Sequence, residues 1–78
     1  MKRIELFLKE FEKLTGEKLQ YFGENRNSYI IPDTYKAGFL DICAGDLTFI
    51  DTDKNIKIDL NNYTPQEFYH FCKVFYAW

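Results

Sequence analysis

The run Asp51-Thr52-Asp53-Lys54-Asn55, with Asp59 and Asn62 after it, sets oxygen-bearing side chains at the first, third, fifth and ninth positions of a loop over 51–62. That spacing suits calcium, a hard cation that takes oxygen ligands in a tight loop. Two positions depart from the pattern. Ile56 stands where the sharp turn needs Gly, and Asn62 stands where a bidentate Glu closes the site. Asp and Asn are also ordinary hairpin-turn residues, which accounts for the run without a metal. The segment is at most a weak calcium-binding loop, and no metal or cofactor is assigned.

Cys43, His70 and Cys72 are the other metal-ligating or nucleophilic candidates. Two Cys and one His fall one ligand short of a structural zinc site. On a helix, His70 and Cys72 point to different sides, so they do not form a Cys/His nucleophilic pair. The reading is an exposed histidine and a core cysteine. With no Ser/His/Asp set, Gly-rich phosphate loop or close carboxylate pair, the chain is read as non-enzymatic.

Aromatic residues offer a different chemistry. Tyr69 and Tyr76 are seven apart on a helical segment with Lys73 between them, and Tyr63 lies just before it. Such a Tyr/Lys edge could stack on nucleotide bases or anchor a protein interface. A net charge of −2 lacks the basic footprint of a phosphate-gripping protein. Charge is also uneven: residues 1–31 carry six Lys/Arg and five Glu (net +1), and residues 32–59 carry six Asp and three Lys (net −3). A protein partner is therefore favoured over nucleic acid. A homodimer through a sheet edge or the tyrosine edge is a further option.

The elements that position these residues follow from periodicity. Ile4, Phe7, Leu8, Phe11 and Leu14 form one helical stripe over 3–15, from which Leu6 points away, and Gly16 suits a left-handed cap. The polar side mixes both signs, so a membrane-surface role is not expected. Leu19–Tyr21 and Ser28–Ile31 read as short strands around turn material at Gly23–Asn27, the second closed by Pro32-Asp33-Thr34. Residues 38–60 read as a meander. A two-residue turn at Gly45-Asp46 would set Ala44 opposite Leu47, Ile42 opposite Phe49 and Leu40 opposite Asp51. A second turn at Asp53-Lys54 would set Phe49 opposite Ile58 and Leu47 opposite Leu60, or a three-residue loop would end on a left-handed Asn55. The other sheet face then carries Phe39, Asp41, Cys43, Thr48, Ile50 and Lys57, with Phe39 and Ile50 unusual for a water-facing side. Thr64, Pro65 and Glu67 spell a capping box, and the helix they open is expected to run to the C-terminus with Phe68, Phe71, Cys72, Phe75 and Trp78 inward.

Counting faces gives one α+β domain over 1–78: a two-layer sandwich with an N-terminal helix, an antiparallel sheet of about four or five strands and a C-terminal helix, both helices on one face. At 78 residues the core is small, and a 19 % aromatic content supplies large burial areas to compensate. The opening segment lacks the apolar run of a signal peptide, and no stretch is apolar enough to span a membrane. A cytoplasmic setting with reduced thiols is expected. The function expected is a small protein-binding module, a stoichiometric inhibitor or adaptor of the kind carried by phages and mobile elements. Its contact surface would come from Tyr63, Tyr69, Lys73 and Tyr76, or from the sheet face with Phe39, Asp41 and Ile50.

Overall fold

A computed structural model describes residues 2–23, 27–32 and 37–78. The order is α1 (Lys2–Thr15), β1 (Gln20–Phe22), β2 (Asn27–Ile30), β3 (Phe39–Cys43), β4 (Asp46–Asp51), β5 (Ile56–Asp59) and α2 (Pro65–Phe75). The strands form one antiparallel sheet in the order β1-β2-β3-β4-β5. This is the expected α+β arrangement.

Alternation along each strand separates two faces. One row crosses all five strands: Tyr21 lies opposite Tyr29, Tyr29 opposite Leu40, Leu40 opposite Phe49, and Phe49 opposite Ile58. Both helices cover this face. The stripe residues Ile4, Phe7, Leu8 and Phe11 of α1 and Phe68 and Cys72 of α2 are buried with Leu40, Leu47, Phe49 and Leu60. Phe68 sits at the junction, its ring centroid 5.1 Å from Phe11, 5.1 Å from Phe49 and 6.2 Å from Phe7. The helices lie side by side and run the same way. Arg3 donates from its guanidinium to the Asn61 carbonyl at one end, and Phe11 meets Trp78 at the other.

Local signals cap the end of α1 and the start of α2 as the sequence predicts. Gly16 takes φ +76° and its N–H donates to the Glu12 carbonyl at 2.8 Å. The Glu67 N–H donates to Thr64 Oγ1 at 3.1 Å, and the Thr64 N–H donates to Glu67 Oε1 at 2.8 Å, the reciprocal pair of a capping box. The end of α2 differs from expectation. The helix stops at Phe75, and Ala77, at φ +57°, turns Trp78 back toward Phe11 and Tyr69. Phe75, expected inward, is 48 % exposed, and Tyr76 takes the place on Phe49 instead.

The first hairpin corrects the expected turn. Its loop is Ala44-Gly45, both at positive φ (51° and 85°), and Cys43 lies opposite Asp46. A primed turn with both central residues left-handed favours Gly at the second one, so the loop sits one residue earlier than Gly45-Asp46. Sliding a two-residue loop by one position moves each partner by two. Leu40 therefore faces Phe49 and Ile42 faces Leu47, and every side chain keeps its face. The second hairpin keeps the expected register, Phe49 opposite Ile58, and the Leu60 N–H donates to the Leu47 carbonyl at 2.9 Å. Its unpaired loop is four residues, 52–55, ending on Asn55 at φ +55°. The early strands are each displaced by one residue from expectation. Leu19 is buried ahead of β1, its N–H bound to Glu12 Oε2 at 2.8 Å, and β2 ends at Ile30, before Pro32. Most of the turn expected at Gly23–Asn27 and of the segment after Pro32 lies outside the described residues.

Gly38 shows why β3 begins where it does. A Cβ built there would stand 1.8 Å from the Ile50 carbonyl oxygen, so only glycine lets the two backbones meet. Gly38→Ala should lower stability by about 3 kcal/mol, whereas Ala44→Asn, which suits a left-handed turn position, should raise it by about 0.5 kcal/mol. Urea midpoints at constant slope measure both.

Candidate functional site

Asp51 is the most unusual side chain in the fold. It continues the inward series Leu47, Phe49 and Asp51 along β4, and it is only 4 % exposed. A carboxylate there requires donors. The Tyr76 hydroxyl donates to its Oδ2, and the Lys54 N–H donates to its Oδ1 at 3.2 Å. Burial alone would raise the carboxyl pKa. The Tyr76 bond, the Lys54 and Asp53 N–H groups and the Lys54 charge outweigh it and hold the group below its ordinary value. Tyr76 is pushed upward, first by burial and then by the negative partner it serves. Lys54 Nζ lies 5.2 Å from the Tyr76 ring centroid, closing the group over the hairpin. The lead residue of the calcium-like run thus faces the core. Among the described residues, no three His, Cys, Asp or Glu side chains converge as metal ligands.

The Tyr/Lys edge divides on folding. Tyr69 and Tyr76 both reach Trp78, at 6.3 and 6.1 Å between centroids, so the sequence's i, i+7 pair does come together. Tyr76 nevertheless has its hydroxyl on Asp51 and its ring edge-on to Phe49 at 6.2 Å. Lys73 Nζ lies 5.5 Å from the Tyr69 ring centroid. Tyr63 stands apart, exposed beside the start of α2, in a groove it shares with Leu6 of α1. His70 is exposed, and Cys72 is buried with its thiol pushed up to about 12 by desolvation. Cys43 is exposed at the hairpin tip.

The sheet-face residues, by contrast, assemble. Phe39 lies opposite Ile50, and Asp41 follows one row along, accepting from Ser28 Oγ at 2.9 Å. Pairing of β2 with β3 adds Ile30 opposite Phe39, giving the row Ile30–Phe39–Ile50–Lys57 on the face away from both helices. Phe22, 46 % exposed, joins from β1. With Ser28, Ile30 and Phe39 it lines a notch of about 320 Å³. Sequence reasoning missed Phe22 and Ile30. Phe22 lies one residue beyond the strand expected over 19–21, and Ile30, inside the strand expected over 28–31, takes its place beside Phe39 only from the β2–β3 register.

No family model, curated protein or solved structure matches the chain.

Tyr76→Phe leaves a buried carboxylate without its main side-chain donor and should lower stability by about 2 kcal/mol at neutral pH. Asp51 has a folded pKa below its unfolded value, near 3.9, so its stabilisation is complete above that value and is lost as pH falls through the folded one. The gap in melting temperature between wild type and Asp51→Asn should accordingly shrink on acidification from neutral pH to below about 4. A series of calorimetric melts reads the trend.

Proposed function

We propose that this chain is a small non-enzymatic protein-binding module, acting as a stoichiometric inhibitor or adaptor, and that it meets its partner with the outer face of its sheet. The observation that carries this reading is the apolar row Ile30–Phe39–Ile50 with Phe22 beside it, on the face that neither helix covers. A sheet face turned to water ordinarily carries polar residues at such positions. Large apolar groups grouped around a notch are instead the composition of a contact hot spot, where one inserted side chain supplies much of the binding energy. Asp41 and Asp59, one row along, give this surface an acidic margin suited to a partner with basic residues around an apolar anchor.

An alternative, nucleic-acid reading rests on the edge formed by Tyr69, Lys73 and Tyr76. Tyr76 is engaged with Asp51 and Phe49, which leaves that edge with fewer rings to stack on bases, and the protein reading is preferred. Among the described residues, no helix is long and apolar enough to cross a membrane.

A tagged-protein capture from lysate of the source cells, followed by titration of the purified partner, tests the reading. Phe22→Ser and Ile50→Lys should each weaken the partner at least about tenfold, with little response to added salt. Tyr69→Ala/Lys73→Ala should bind like wild type. The opposite pattern would move the site to the helix edge, and a steep loss with salt would favour nucleic acid.

A further inference from the structure

On the other side of the molecule, α1 and the start of α2 bound a groove of about 680 Å³, with Arg3, Leu6 and Glu10 on one wall and Tyr63, Pro65 and Gln66 on the other. Leu6 is 65 % exposed, on the outward side of a helix that buries Ile4, Phe7, Leu8 and Phe11. Its neighbours matter more than its exposure. Arg3, Leu6 and Glu10 are spaced i, i+3, i+7, so they share one edge of α1, with a cation at one end, an anion at the other and an apolar group near the middle. At 1.5 Å per residue the two charges are about 10 Å apart along the axis.

Such an edge is complementary to itself when reversed. A two-fold axis passing near Leu6 brings a second α1 alongside, antiparallel, with Arg3 of each copy beside Glu10 of the other. The two Leu6 side chains meet at the centre, where each enters the groove flanked by Tyr63 and Pro65. An isologous contact requires this pairing of one patch with itself. The wider charge distribution agrees. Strands β3 to β5 with their turns, residues 39–59, carry five Asp and two Lys (net −3), so joining the helical sides keeps the two acidic halves apart. We infer that the Arg3–Leu6–Glu10 edge of α1 and its groove are the contact surface of a homodimer, the occupant being a second copy of this chain. This surface is separate from the sheet face. If both readings hold, the dimer is bivalent, with two outer sheet faces directed away from each other.

Sedimentation equilibrium across the micromolar-to-millimolar range tests the inference, with circular dichroism as the check on folding. Wild type should show a monomer–dimer equilibrium. Arg3→Glu or Glu10→Arg alone places like charges together at both ends and should weaken the dimer at least about tenfold. The two single variants mixed should form a heterodimer, and Arg3→Glu/Glu10→Arg in one chain should restore the homodimer. If Arg3→Glu is destabilised by losing its bond to Asn61, Glu10→Arg and Leu6→Glu carry the test. A wild type that stays monomeric throughout, or a dimer unaffected by Glu10→Arg, overturns the inference. So would loss of a foreign partner on Leu6→Glu with no change in self-association. None of these substitutions touches the sheet face, so partner capture through Phe22 and Ile50 succeeds or fails independently.

Discussion

The hydrogen bond from the Tyr76 hydroxyl to the Asp51 carboxylate joins residues 25 apart in sequence and sets the geometry at one end of the molecule. Asp51 ends β4 on the inward face, where an unpartnered carboxylate would be intolerable. Its two oxygens divide the work. One accepts from the Lys54 N–H and shapes the hairpin turn, and the other accepts from Tyr76 and draws in the last turn of α2. With Tyr76 drawn inward, Phe75 is left largely at the surface, and the left-handed Ala77 returns Trp78 over Phe11, Tyr69 and Tyr76. The small core thus gains an aromatic lid at its C-terminal end. Asp51 and Lys54 of the calcium-like run and Tyr76 of the Tyr/Lys edge are consumed in making it.

That division of labour leaves two apolar patches outside the core, on opposite sides of the fold. Strand alternation gathers Ile30, Phe39 and Ile50 on the outer face of the sheet because the rows of β2, β3 and β4 are in register. Helix packing leaves Leu6 and Tyr63 facing one another across the α1–α2 groove because Leu6 lies off the stripe that α1 buries and Tyr63 precedes the cap of α2. A chain of 78 residues has little surface to spare, and large apolar groups kept outside its core reduce its solubility. Their retention on two well-defined patches is the physical basis for reading this protein through its contacts instead of through a reaction.

Much of this was legible in the residues alone, and the reason is locality. The stripe of α1, the Gly16 cap, the Thr64–Glu67 capping box and the meander depend on groups a few positions apart, whose periods and turn preferences are strong. The face assignment in the first hairpin withstood a misplaced turn because sliding a two-residue loop moves partners by an even number. Phe39 and Ile50 were recognisable as odd on an outer face for the same reason. Phe22 was not, since it ends β1 one residue beyond the strand expected over 19–21, and Ile30, inside the expected strand, joins Phe39 only through the pairing of β2 with β3.

The sequence by itself determined the elements, their order and the inward side of nearly every one of them, because hydrophobic periodicity is a local property. Only the tertiary structure decided between Phe75 and Tyr76. Adjacent positions on a helix are separated by about 100°, and at the last turn either can be brought to the core edge. The choice fell to the ring whose hydroxyl could satisfy a buried carboxylate on a strand 25 residues away. The same holds for the groove: that Leu6 and Tyr63 stand on facing walls follows from how α1 packs beside α2, a relation between distant segments that no local pattern encodes.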